Sequence, residues 1–183
     1  EEVVGLPQRA LEVLASAARD AGDSGATTEE GPWLLGLDMP RYLPFLTHAT
    51  NRSLREMAYR AHVGRASSGE HDNRSQIEEI LSLHGQQAAR LGYAHWADVS
   101  LASKMAKDVD EVEELLEELR VAAFPAAERE LDDLKALARR HGAAEAENLA
   151  PWDLPFWSEK LRQERFDLDQ ERLRPWFPLP QVP

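Results

Sequence analysis

The chain has 183 residues and no cysteine, with 21 Lys+Arg against 33 Asp+Glu, a net charge of −12. That length can bury a sizeable core. The missing cysteine removes disulfides, a thiol nucleophile and cysteine-ligated zinc or iron–sulfur sites. The acidity argues against nucleic acid and against anionic membrane surfaces, both of which need a local excess of Lys and Arg. No apolar run approaches the roughly 20 residues of a membrane span, and no signal peptide is visible. Residue 1 is Glu and the sequence closes on Gln181-Val182-Pro183, so we expect a piece of a longer chain.

In chain order, Pro7 to about Asp20 reads as a helix carrying Leu11, Leu14, Ala15 and Ala18 on one face and stopping at Ala21-Gly22. Trp33 to Asp38, a short apolar run after Gly31-Pro32, is the best strand candidate. Pro40 opens a helix through Tyr42, Leu43, Phe45 and Leu46. Thr50-Asn51 breaks it and caps the next, where Ser53 and Glu56 have capping-box spacing and a helix should run to about Ser67. Ser75 and Glu78 repeat that spacing. Ile77, Ile80, Leu81, His84, Ala88 and Leu91 then form one apolar stripe that ends at Gly92. A turn and a short helix occupy Tyr93 to Lys104. Asp108 caps a long helix with Val112, Leu115, Leu116 and Leu119, which Pro125 should kink or split before Leu131, Leu134, Leu137 and Ala138.

The final third differs. Trp152, Phe156, Trp157, Phe166, Trp176 and Phe177 crowd together among five prolines, and such a segment needs a surface to dock on. We therefore divide the chain into a helical region 1–150 with a short strand near 33–38, and an aromatic, proline-rich segment 151–183.

Catalytic signatures are missing. No two of the six histidines are four apart, as a helical zinc site requires. Glu70-His71-Asp72 is the densest ligand-like cluster, but neighbouring loop side chains seldom converge on one ion, and a solvated loop is the plainer reading. His84 reads as a core histidine bonded to a neighbour. His48 and His62 sit on successive helices, where they could approach each other. Asp110 to Glu118 reads as a solvated helix face, because a calcium loop needs Gly and spaced Asp or Asn. There is no G-x-S-x-G, no phosphate loop and no dinucleotide fingerprint. The aromatic segment reads first as packing, with Asp153 and Lys160 as its polar residues.

Several segments carry a resemblance. Pro151-Trp152-Asp153-Leu154-Pro155-Phe156-Trp157-Ser158-Glu159-Lys160 resembles the W-D-x-x-[YF]-[YF]-x-E-K stretch of the thimet oligopeptidase and oligopeptidase A family. Leu173-Arg174-Pro175-Trp176-Phe177-Pro178, followed by Val182, is similar to its L-R-P-Y-F-P-x-x-x-V. Leu35-Gly36-Leu37-Asp38-Met39-Pro40-Arg41-Tyr42-Leu43-Pro44 resembles its L-x-L-x-x-P-x-Y-x-P entry. Asn51, Leu54-Arg55-Glu56, Tyr59 and Ala61 resemble N-x-x-L-R-E-x-x-Y-x-A. Asp72-Asn73, Ile77, Ile80-Leu81, Leu91-Gly92-Tyr93 and Lys104-Met105-Ala106 follow in the family's order. Trp157 and Trp176 stand where Tyr is expected.

The resemblance implies a zinc metallopeptidase that cuts short peptides in a deep channel between two largely helical halves, its zinc-bound water activated by the Glu of H-E-x-x-H. That motif and the third zinc ligand have no counterpart in these residues. We carry over no catalytic residue and no metal ligand, expect no zinc on this piece, and expect it to be inactive alone. Its fold should be mainly α with a few short strands, a channel-wall region and a lead-in to the catalytic domain. Trp152 and Asp153 are the candidates for lining the channel. The expected partners are short peptides and the remainder of the same polypeptide, in the cytoplasm. Two rival readings remain: a catalytically silent helical module that binds peptides or a partner, and one chain of a split peptidase.

Overall fold

The computed structural model describes residues 2–166 and Trp176. It is mainly α-helical, and the chain forms two compact units: residues 1–63 with 132–183, and residues 64–131. Within the first unit the helix at Leu154–Phe166 packs with the N-terminal helix at Met39–His48.

The first unit contains α1 (Gln8–Asp20), α2 (Met39–His48), α3 (Arg52–Val63), the end of α6 (Val109–Arg140) and α7 (Leu154–Phe166). α2 packs against α1, α3 and α7. Leu14, Tyr42, Phe45, Leu46, Ala49 and Ala58 form one buried cluster, and Leu134, Leu137, Ala138, Ala146, Phe156 and Trp157 another. Leu14, Ala15 and Ala18 are buried as the α1 periodicity predicts. Asn51 caps α3, its Oδ1 accepting the Leu54 N–H at 3.2 Å. The expected Ser53–Glu56 box is not used, since Glu56 accepts from Arg60 instead (2.8 Å), and α3 stops at Val63, short of Ser67.

The expected strand at 33–38 does not form. Among the described residues the one bridge is an isolated pairing of Thr27 with Gly31. The run has no neighbouring strand. It spends its polar groups on helices instead, with the Leu34 N–H donating to the Leu14 carbonyl (3.1 Å) and the Leu37 carbonyl 3.1 Å from His62 Nδ1. Trp33 and Leu35 pack on the first cluster.

The second unit holds a 3-10 turn at Gly69–His71, α4 (Arg74–Arg90), α5 (Trp96–Leu101) and the beginning of α6. α4 ends as its sequence predicts. Gly92 has φ +81°, and the N–H of Tyr93 reaches back to the Ala88 carbonyl (2.9 Å), a termination that glycine adopts without strain. Gly142, φ +68°, ends α6 in the same way through Ala143 and Ala138 (3.0 Å). Asp108 caps α6 by accepting the Glu111 N–H at 3.0 Å. Pro125 does not split α6, which runs 32 residues through it. One lost backbone bond is tolerated within a long ladder. The larger surprise is burial. Ile77, Ile80, Leu81 and Leu91 of the α4 stripe are each more than half exposed, and only Ala88 is buried. The stripe has the correct period but little to pack on, apart from His84 stacking on Trp96 of α5 at 4.1 Å.

Candidate functional site

The segment 150–156 is fixed by a buried ionic junction. Asp153 immediately precedes α7 and is fully buried. Its Oδ2 accepts the Ala150 N–H (3.0 Å) and Arg52 Nη2 (2.8 Å), and its Oδ1 accepts Arg52 Nε (3.0 Å) and Arg55 Nη2 (3.1 Å). Arg55, 1% exposed, spends its other donors on the carbonyls of Ala49 (2.8 Å), Thr50 (3.3 Å) and Trp152 (3.2 Å), and lies 4.2 Å over the Phe156 ring. A buried charge survives where its lone pairs and protons are engaged, and here Arg55 donates four hydrogen bonds, one of them to Asp153. Burial pulls the Arg55 guanidinium below its ordinary value and the bond to Asp153 pulls it back, while that same carboxylate raises Arg52. Both arginines stay charged at neutral pH.

The two candidate channel residues therefore have different positions. Asp153 presents no surface and no spare oxygen to a ligand, and its work is to join α3 to the start of α7. Trp152 is half-buried against the first cluster, tilted on Tyr59 (5.6 Å), with the guanidiniums of Arg52 and Arg60 5.5 and 5.0 Å from its ring. Its indole Nε1 is buried and has no hydrogen-bond partner among the described residues, as is also true of Trp157 Nε1.

A cavity of about 580 Å³ opens beside α7, walled by Pro7, Leu43 and Pro44 and by the polar side chains of His48, Glu159 and Arg162. Arg162 Nη2 and Gln163 Nε2 donate to Glu159 Oε1 at 2.7 and 2.8 Å. Burial pushes the Glu159 carboxyl up, but these bonds outweigh it and hold it below the usual range. Burial pushes His48 down, with Glu159 opposing and Arg162 and Lys160 adding to the fall. His48 is thus a neutral imidazole facing the cavity. Its place beside Glu159 in the cavity wall carries no local signal, because the two lie far apart in sequence. His48 and His62 have separate neighbours, since His62 stacks on Tyr42 at 4.0 Å. Glu70 and His71 pair with each other on an exposed turn, and Asp72 pairs with Arg74. Among the described residues no three His, Asp or Glu side chains converge to hold a metal ion.

The His48 shift has a checkable consequence. Because its folded pKa lies below the ordinary 6.5, its neutral form contributes stability that is complete above about pH 6.5 and is lost as pH falls through the folded value. Glu159, also lowered, loses its contribution in a more acidic window, below the usual glutamate value. In urea unfolding between pH 7 and 5, His48→Gln should flatten the decline. An unchanged slope would show that His48 does not titrate in this window.

The model of peptidase family M3 matches residues 45–183. The chain is 50% identical to the "Probable cytosolic oligopeptidase A" of Arabidopsis thaliana over 182 residues, covering 100% of this chain and 26% of that protein. It is 49% identical to the "Organellar oligopeptidase A, chloroplastic/mitochondrial" of the same plant, with 100% and 23% covered, and 40% identical to the oligopeptidase A of Salmonella typhimurium, with 97% and 25% covered. The chain thus spans about a quarter of the length of these curated relatives. With the family model matched over most of its residues, this chain belongs to peptidase family M3.

Proposed function

We propose that the chain is the channel-wall part of a zinc-dependent, oligopeptidase A-like endopeptidase that hydrolyses short peptides, and that the zinc and the hydrolytic residues belong to a longer polypeptide. The observation that carries this is 50% and 40% identity to oligopeptidase A relatives across nearly every residue, while covering only a quarter of each. Trp152 is the peptide-contacting residue of this segment in this reading, supported by an aromatic ring with two guanidiniums beside it. Asp153 acts on it indirectly, by fixing the backbone at 150–153. A cytoplasmic location and the absence of nucleic-acid or membrane partners for this acidic chain remain part of this reading. No helix among the described residues is long and apolar enough to cross a membrane.

The test compares the 183-residue chain with the longer polypeptide that contains it, on an internally quenched peptide, with and without a chelator. Only the longer protein should cleave, and chelation should abolish its cleavage. Zinc-dependent cleavage by the short chain would overturn the assignment. The split-peptidase reading draws support from the bare apolar faces of α4 and α6. It predicts that this chain co-purifies with a separate zinc-bearing polypeptide.

A further inference from the structure

The apolar stripe of α6 is continuous in sequence but buried at only one end. Leu116, Leu119 and Ala123 lead at helical spacings, through Ala127 and Leu131, to Leu134 and Ala138. Leu134 and Ala138 are buried in the second cluster of the first unit. From Glu113 to Pro125 every residue is exposed, and Leu115, Leu116, Leu119 and Phe124 are each more than half exposed. This half of the helix also contains Pro125, which removes a backbone bond. Helices in proteins owe most of their stability to packing an amphipathic face. The bare half of α6 keeps the pattern of such a face and has no partner on it among the described residues.

We propose that the stripe at Leu116, Leu119 and Ala123 is the docking seat for an amphipathic helix from another part of the same longer polypeptide. The inference rests on the reading given under Proposed function. The relatives supply the occupant's origin, because about three quarters of their length lies outside the region this chain matches. A second copy of this chain is disfavoured by charge. The chain carries −12, and α6 itself bears Asp110, Glu111, Glu113, Glu114, Glu117 and Glu118, which a second copy would set against their own kind. A neighbouring helix would lie about 8–10 Å away, axis to axis, and would cover the stripe while leaving the Glu118 face in water.

Thiol labelling tests this, since the chain has no cysteine to interfere. Leu116→Cys, Ala123→Cys and, on the opposite face, Glu118→Cys are made both in the 183-residue chain and in the longer polypeptide, and labelling is followed by mass spectrometry of the α6 peptide. Cysteines at 116 and 123 should react at least about tenfold more slowly in the longer polypeptide than in the short chain, with no change at 118. Ala123→Cys is nearly isosteric and keeps the test valid if Leu116→Cys disturbs folding. Equal, fast labelling in both proteins overturns the proposal. So does slow labelling in the short chain accompanied by a doubled mass in light scattering, which would make a second copy the occupant. If the native polypeptide has the mass of these 183 residues alone, the functional reading fails and takes the inference with it. That failure is seen in the mass before any labelling begins.

Discussion

Replacing Asp153 with alanine is expected to lower the unfolding free energy of the first unit by about 3–5 kcal/mol, enough to remove much of a small unit's stability. The carboxylate is fully buried and serves two guanidiniums and one backbone N–H. Without it, Arg55 remains 1% exposed with its positive charge uncompensated, and the Ala150 N–H loses its acceptor. Arg52 is a weaker partner because its side chain is 38% exposed, so water replaces the lost bond. Arg52→Ala should therefore cost about 1 kcal/mol. Arg55→Met combined with Asp153→Leu should recover much of the loss, because an apolar pair of similar volume leaves no buried charge. Urea unfolding followed by tryptophan fluorescence reads all four proteins. If Asp153→Ala costs no more than Arg52→Ala, the junction is not what holds 150–156 to α3.

This junction also explains what the sequence conceals. Arg52 and Asp153 are 101 residues apart, and no periodicity joins them. Trp-Asp at 152–153 stands out as a motif, but a motif does not say whether its carboxylate faces a ligand or an arginine. The α7 helix was legible in principle. An Asp ahead of Leu154-Pro155 is a usual helix start, since proline is tolerated in the first turn, and the crowd of aromatics and prolines masks it. Helix ends were the most readable features, because Gly92 and Gly142 supply a left-handed residue where one is needed. Trp33 to Asp38 misled because a short apolar run looks the same whether it pairs with a strand or crosses over a helix. The α4 stripe misled in another way. Periodicity says which face a helix intends to bury, and says nothing about whether the partner lies within the same 183 residues.

Within the single helix α6, two leucine-to-alanine changes should differ by nearly the full range seen for such substitutions. Leu137 is 0% exposed and packs among Leu134, Ala146, Phe156 and Trp157, so Leu137→Ala should cost about 2–5 kcal/mol through lost burial and the cavity left behind. Leu116 is 58% exposed in the same stripe, so Leu116→Ala in the 183-residue chain should stay within about 0.5 kcal/mol of the parent. Both remove the same atoms from helical positions of similar propensity, and only the surroundings differ. Denaturant unfolding of the two variants measures the contrast. A cost at Leu116 comparable to that at Leu137 would mean that the stripe is already covered in the short chain. In the longer polypeptide the prediction changes for one position only. If a helix sits on the stripe there, Leu116→Ala should rise towards the cost of a buried leucine, while Leu137→Ala should hold its value, since its neighbours are supplied by this chain.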